Sequence, residues 1–185
     1  MMTIFYIILG IVVLVILLAI AIYNALIVRR NRVQEAWSDI EVQMKRRYDL
    51  IPNVVETVKG YAAHEKGVLE NVTRARTEAM GAKTAQDHAQ AENALSSTLR
   101  TLFAVAENYP DLKANANFLD LQRELADTEN KLQSSRRFYN STVMELNTMI
   151  ESFPSNLIAG AFRFAKKEFF DLEEATAREP IKVRF

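Results

Sequence analysis

Apolar side chains fill the first 28 positions and then thin into a regular stripe. From Met1 to Val28 no side chain is charged, and Ile4–Val28 is almost wholly aliphatic. At about 1.5 Å per residue, a helix over this run exceeds the roughly 30 Å hydrocarbon core of a bilayer. The pattern predicts a transmembrane anchor over residues 1–28. A cleaved secretory signal competes for such a run, with Ala19-Ile20-Ala21 as its small-residue site. The run is too long for that use, and no Lys or Arg precedes it.

Beyond the anchor, Gly and Pro are scarce, with five and four in the chain, and the apolar positions keep a helical period. Leu26, Val33, Ile40, Val54, Tyr61, Val68 and Ala75 recur every seven residues. Trp37, Met44, Ile51, Val58, Val72 and Ala79 form the companion row, the two-row seam of coiled-coil packing. Gly81 is a helix stop and Thr84 an N-cap. A second helix then carries Ala91, Leu95, Leu99, Leu102 and Ala106 on one stripe and ends before Tyr109-Pro110. A third starts near Asp111. Its rows are Phe118, Leu125, Leu132, Tyr139 and Leu146, beside Leu121, Thr128, Ser135, Thr142 and Met149, and Phe153-Pro154-Ser155-Asn156 closes it.

The expected fold is all-α: an N-terminal transmembrane helix followed by an antiparallel helical bundle of long helices, over residues 29–156. Residues 157–185 are expected as a short helix, Arg163 to Ala177, and an extended tail. There Ile181, Val183 and Phe185 alternate, to lie along a bundle groove, add to a neighbouring chain or stay disordered. Pro52 conflicts with a continuous first helix, since an interior proline removes a hydrogen bond and costs about 3 kcal/mol. The seven-residue phase passes through it unchanged, which favours a kink, while Asp49 and Asn53 offer caps for a break.

Length then predicts self-association. A continuous helix over 30–79 reaches about 75 Å from the membrane, and a second over 85–108 returns about 36 Å. Nothing in the same chain then covers the membrane-proximal stripe of Val33, Trp37, Ile40 and Met44, which becomes the expected interface of a parallel homo-oligomer. The rival outcome is a break at Pro52 that buries Trp37 internally.

Arg29, Arg30 and Arg32 follow the span at once. This positive-inside bias puts the N-terminus outside and the soluble domain in the cytoplasm. The three arginines halt translocation, or also hold anionic membrane lipid. Overall, 23 Lys and Arg balance 23 Asp and Glu, so no basic excess points to nucleic acid. The absence of cysteine excludes disulfides, thiolate nucleophiles and thiolate metal sites.

Candidate chemistry is sparse. His64-Glu65 starts like a zinc-protease helix, but the second histidine position is Val68. A di-iron bundle needs Glu three residues before His, and Tyr61 and Ala85 stand there. No metal, cofactor or catalytic residue is expected, and Glu65, Glu107, Asp111 and Glu124 are only dispersed carboxylates. The cluster of Arg136, Arg137, Phe138 and Tyr139 reads as core beside a polar edge. Two charged residues do interrupt the seams: Arg47, between Ile40 and Val54, and Glu65, between Val58 and Val72. A charge buried there must be paired, so both are expected in a structural polar network.

The blocks Glu35-Ala36-Trp37-Ser38-Asp39-Ile40, Arg46-Arg47-Tyr48-Asp49-Leu50-Ile51-Pro52-Asn53 and Val58-Lys59-Gly60-Tyr61 resemble the LemA family. So do Glu107-Asn108-Tyr109-Pro110-Asp111-Leu112, Thr128-Glu129-Asn130, Tyr139-Asn140, Phe153-Pro154-Ser155-Asn156 and Pro180 to Phe185. The resemblance covers essentially the whole chain in order. It implies a bacterial inner-membrane protein with one N-terminal span, a helical bundle and no agreed reaction. Its genes often neighbour those of a membrane metalloprotease, which implies envelope partners and a part in membrane protein quality control. The expected function is a membrane-anchored scaffold or adaptor that self-associates. The alternative is a membrane-tethered hydrolase using bundle-edge carboxylates.

Overall fold

The computed structural model describes residues 1–170. Six helices follow in order: α1 Met2–Tyr61, α2 Lys66–Gly81, α3 Ala85–Ala106, α4 Pro110–Lys113, α5 Ala116–Glu151 and α6 Ser155–Ala161. The chain is all-α, as its periodicity predicts. The alternating residues Ile181, Val183 and Phe185 lie outside the described residues.

α1 continues through Pro52 without a break. Proline has no N–H, so the carbonyl of Tyr48, four residues back, loses its helical partner. Arg76 of α2 replaces it, Nε donating to that carbonyl at 2.7 Å. The chain reverses ten residues later instead, at Ala62–Glu65, just after Gly60, a poor helix former. Here Tyr61 turns outward while Ala62 is fully buried, so the seam leaves the seven-residue phase. The expected single helix over 30–79 is therefore two, and α2 packs on α3.

Local signals explain the other ends. Gly81 closes α2. Thr84 and Asp87 form a reciprocal capping box at α3, each side chain taking the other's backbone N–H. Asn115 Oδ1 accepts the amide of Phe118 at 3.0 Å and caps α5. α6 stops in a Schellman motif: Phe164 N–H donates to Ala159 at 2.9 Å and Arg163 N–H to Gly160 at 3.2 Å. Arg163 holds the left-handed position with φ 57°.

Residues 164–170 are not helical, contrary to the helix expected from Arg163 to Ala177. The Asn147 side chain takes both backbone groups of Lys167, accepting its N–H at 2.9 Å and donating to its carbonyl at 2.8 Å. Tyr139 donates to the Glu168 carbonyl at 2.9 Å. With its backbone served by side chains, this strap has no need of helical hydrogen bonds.

The chain forms two compact units. Unit 1 comprises residues 1–40 and 134–168. Its core joins Leu26, Val33, Ala36 and Ile40 of α1 to Tyr139, Val143 and Leu146 of α5, with Ala159 of α6. Trp37 meets Tyr139 edge to face, ring centroids 5.4 Å apart. Unit 2 comprises residues 41–133 with Phe169 and Phe170. There Ile51, Val54 and Val58 of α1, Val72 and Ala79 of α2, Leu95 and Leu102 of α3, and Leu132 of α5 are fully buried.

These units correct the expected oligomer interface. Val33, Ile40 and Met44 are buried within the chain, at 3%, 0% and 3% exposure, and half-buried Trp37 already faces Tyr139. The extra reversal at Ala62–Glu65 is the reason. It makes α5 a returning helix, so residues 134–151 lie against the stripe that had seemed uncovered.

Candidate functional site: a buried charged network

In unit 2, a charged cluster grows from two neighbours on α1. Arg47 follows the apolar period of Met44, Ile51 and Val54 and so points inward, at 3% exposure; Tyr48 beside it is 8% exposed. From α3, Glu92 enters the same space, completely buried. Arg47 Nη1 donates to Glu92 Oε2 at 2.7 Å, and Tyr48 Oη donates to Glu92 Oε1 at 2.5 Å. One turn along α3, Ser96 Oγ accepts from Arg47 Nη2 at 2.8 Å. Glu129 Oε2 of α5 completes the ion pairing, 2.9 Å from Nη1. One guanidinium thus ties three helices together, and the Arg76 bond to the Tyr48 carbonyl brings in α2.

Burial of Arg47 and Glu92 is tolerable because each meets an opposite charge through a directed hydrogen bond; an unpaired one would cost several kcal/mol. On the solvent side, Arg47, Ser96 and Glu129 line a shallow groove of about 340 Å³ with Leu99, Arg100 and Phe103. His88, one turn before Glu92, has its pKa lowered by burial; the charges of Glu92, Glu41 and Asp87 oppose that shift.

Glu65 does not join this cluster. It lies at the reversal before α2, half-buried, and accepts from Tyr109 Oη at 3.1 Å. Burial raises the Tyr109 pKa and Glu65 raises it further. The seam rows had placed Arg47 and Glu65 on one continuous helix; the break after Tyr61 separates them. Glu107, Asp111 and Glu124 are exposed. Among the described residues no group of three His, Cys, Asp or Glu is placed to hold a metal.

The membrane-proximal arginines belong to unit 1. The Arg30 guanidinium lies 5.7 Å from the Phe164 ring centroid and that of Arg32 5.7 Å from Phe138, both cation–π contacts. Arg29 is half-buried. Sequence inspection missed Glu92, although its spacing to Leu95, Leu99 and Leu102 puts it on the α3 stripe. The stripe had been started at Ala91, one position away.

Against this geometry, the family model described as the LemA family matches residues 36–185. The chain belongs to the LemA family. Protein LemA of Metamycoplasma hominis is 26% identical over 137 residues, covering 74% of this chain and 63% of that protein. Magnetosome protein MamQ 2 of Paramagnetospirillum magneticum is 24% identical, covering 83% and 66%. Magnetosome protein MamQ of Magnetospirillum gryphiswaldense is 23% identical, covering 80% and 64%. The chain thus spans just under two thirds of the length of these relatives. The LemA match begins at Ala36, within α1 and past its apolar run, and takes in every residue of the charged network. With that apolar run, long enough to cross a membrane, this LemA-family chain is a membrane-associated helical protein.

Proposed function

We propose that this chain is a membrane-anchored scaffold or adaptor that performs no reaction of its own, self-associates and binds envelope partners in membrane protein quality control. One observation carries the tethering. α1 is a single helix from Met2 to Tyr61; residues 2–18 are bare, whereas Leu26, Val33, Ala36 and Ile40 of the same helix are buried in unit 1. Anchor and folded domain share a helix with no linker, so a partner held by the domain is held at the membrane. The charged network supports a structural role, because its carboxylates are engaged by Arg47 and Tyr48. Its function is to fix which helices pack together.

Self-association uses a surface other than the buried stripe. An open groove beside α1, lined by Val42, Lys45, Arg46, Leu50 and Glu124, supports it, with Val42 61% exposed. The positive charge after the span supports a cytoplasmic domain in the bacterial inner membrane. Photoreactive residues at Val42 and Leu50 in living cells, with identification of the captured proteins, test the proposal. Capture of a second copy or of envelope proteins is expected; absence of any specific adduct counts against it. A reporter fused after Phe185 tests orientation, and activity of a periplasm-dependent reporter would reverse it.

A further inference from the structure

Unit 1 brings a second apolar element to the level where the bare part of α1 ends. Residues 4–21 of α1 are exposed apart from half-buried Ala19; cover becomes continuous at Ile22 and Tyr23, and Leu26 is fully buried. The bare stretch is about 27 Å long, close to the hydrocarbon thickness of roughly 30 Å, so Tyr23 marks the membrane surface. From Trp37 facing Tyr139, fourteen residues back along α1 reach Tyr23 and fourteen onward reach Phe153. In antiparallel helices both steps lead the same way, about 21 Å toward the membrane. Direct contacts agree: the Tyr23 ring lies 4.7 Å from that of Phe162 and 6.0 Å from that of Phe164, centroid to centroid.

The element at that level is conspicuously apolar on its outside. Phe153, in the turn after α5, is 80% exposed, Leu157 of the short α6 62% and Phe162 at its C-cap 59%. Cations surround it: Arg30 stacked on Phe164, exposed Arg163, and Lys166 paired with Glu151. Large apolar side chains with a basic rim, continuous with a membrane span, match the headgroup–acyl boundary of a bilayer.

We propose that Phe153, Leu157 and Phe162 dip into the interface of the bilayer crossed by α1, giving the domain a second, monotopic membrane contact with anionic headgroups at its basic rim. This inference rests on α1 being a span. The partner is lipid, and the contact holds unit 1 against the surface where a single helix alone would leave it free to swing.

The lack of cysteine allows single spin labels at Leu14→Cys, Phe153→Cys, Leu157→Cys and, as a control eight residues before Phe153 on α5, Glu145→Cys. The full chain is reconstituted into phosphatidylcholine vesicles containing a minor share of phosphatidylglycerol. Collision with oxygen, which concentrates in lipid, is compared with collision with a water-soluble nickel complex. Labels at 153 and 157 are expected to show an oxygen-to-nickel ratio several-fold above that at 145 and below that at 14. A ratio at 153 and 157 equal to that at 145 overturns the second contact while leaving the span intact. Shielding from both reagents means a protein partner covers the tip, which also overturns it. A water-exposed label at 14 removes the span itself, and the proposal with it.

Discussion

Arg76 Nε donates at 2.7 Å to the backbone carbonyl of Tyr48, the oxygen that the Pro52 amide would have taken had that residue possessed an N–H. A side chain from one helix thus mends the hydrogen-bond ladder of another. Arg76→Ala should remove this donor from the Tyr48 carbonyl and cost about 1–3 kcal/mol. In a Pro52→Ala background the ladder closes by itself, and the same change should cost much less. Denaturant unfolding of the four proteins in detergent measures the coupling; equal losses in both backgrounds would show that Arg76 acts elsewhere.

Glu92 bridges Arg47 and Tyr48 with its two oxygens. Glu92→Ala leaves the buried Arg47 guanidinium with only Glu129 and Ser96 and frees the Tyr48 hydroxyl from its carboxylate, and should destabilise the protein by about 1–3 kcal/mol. Arg47→Met combined with Glu92→Met removes the two most deeply buried charges, leaves Glu129 at the solvent edge and should recover part of that loss, as monitored by thermal unfolding. A single change without effect would mean that the network contributes nothing to the fold.

His88 has its pKa lowered by burial, against the opposing charges of Glu92, Glu41 and Asp87. Below the ordinary histidine value of 6.5, the unfolded chain takes up a proton there that the folded chain resists. Stability from this source is complete above that pH and declines as pH falls toward the lowered folded value. His88→Leu should flatten the slope between neutral and mildly acidic pH. An unchanged slope would assign the dependence to the carboxylates.

Arg163 occupies a left-handed backbone position at φ 57°, which costs an L-residue about 1–2 kcal/mol relative to glycine. Arg163→Gly should therefore raise the unfolding midpoint slightly. A lowered midpoint would show that the arginine side chain contributes more than the backbone strain removes.

The seams were largely legible in the sequence. Every member of the row Phe118, Leu125, Leu132, Tyr139 and Leu146 is buried, because one long helix keeps one phase. Thr84 was equally legible, since its cap is a local interaction three residues long. The reversal at Ala62–Glu65 was not: Val58 and Val72, fourteen residues apart, stand two seven-residue steps apart across it, and only the exchange of Tyr61 for Ala62 on the inner face betrays the turn. That miss propagated, since one extra reversal inverts the direction of every later helix, and Val33 to Met44 then seemed to lack cover. Arg47 was recognisable as a charge on an apolar row. Its partners lie 45 and 82 positions away, and spacing along one helix says nothing about which carboxylate faces it.

The burial of Leu26 and the packing of Tyr23 on Phe162 bear on any soluble fragment. Hydropathy invites a cut at Arg29, where charge begins. Such a fragment would lack the buried Leu26 and would strip Phe162 and Phe164 of the Tyr23 ring packed against them. A start near Ile20 keeps Tyr23 and Leu26 in place while discarding most of the bare apolar rod. The boundary between anchor and domain is thus set by packing, about one and a half to two helical turns before the first arginine.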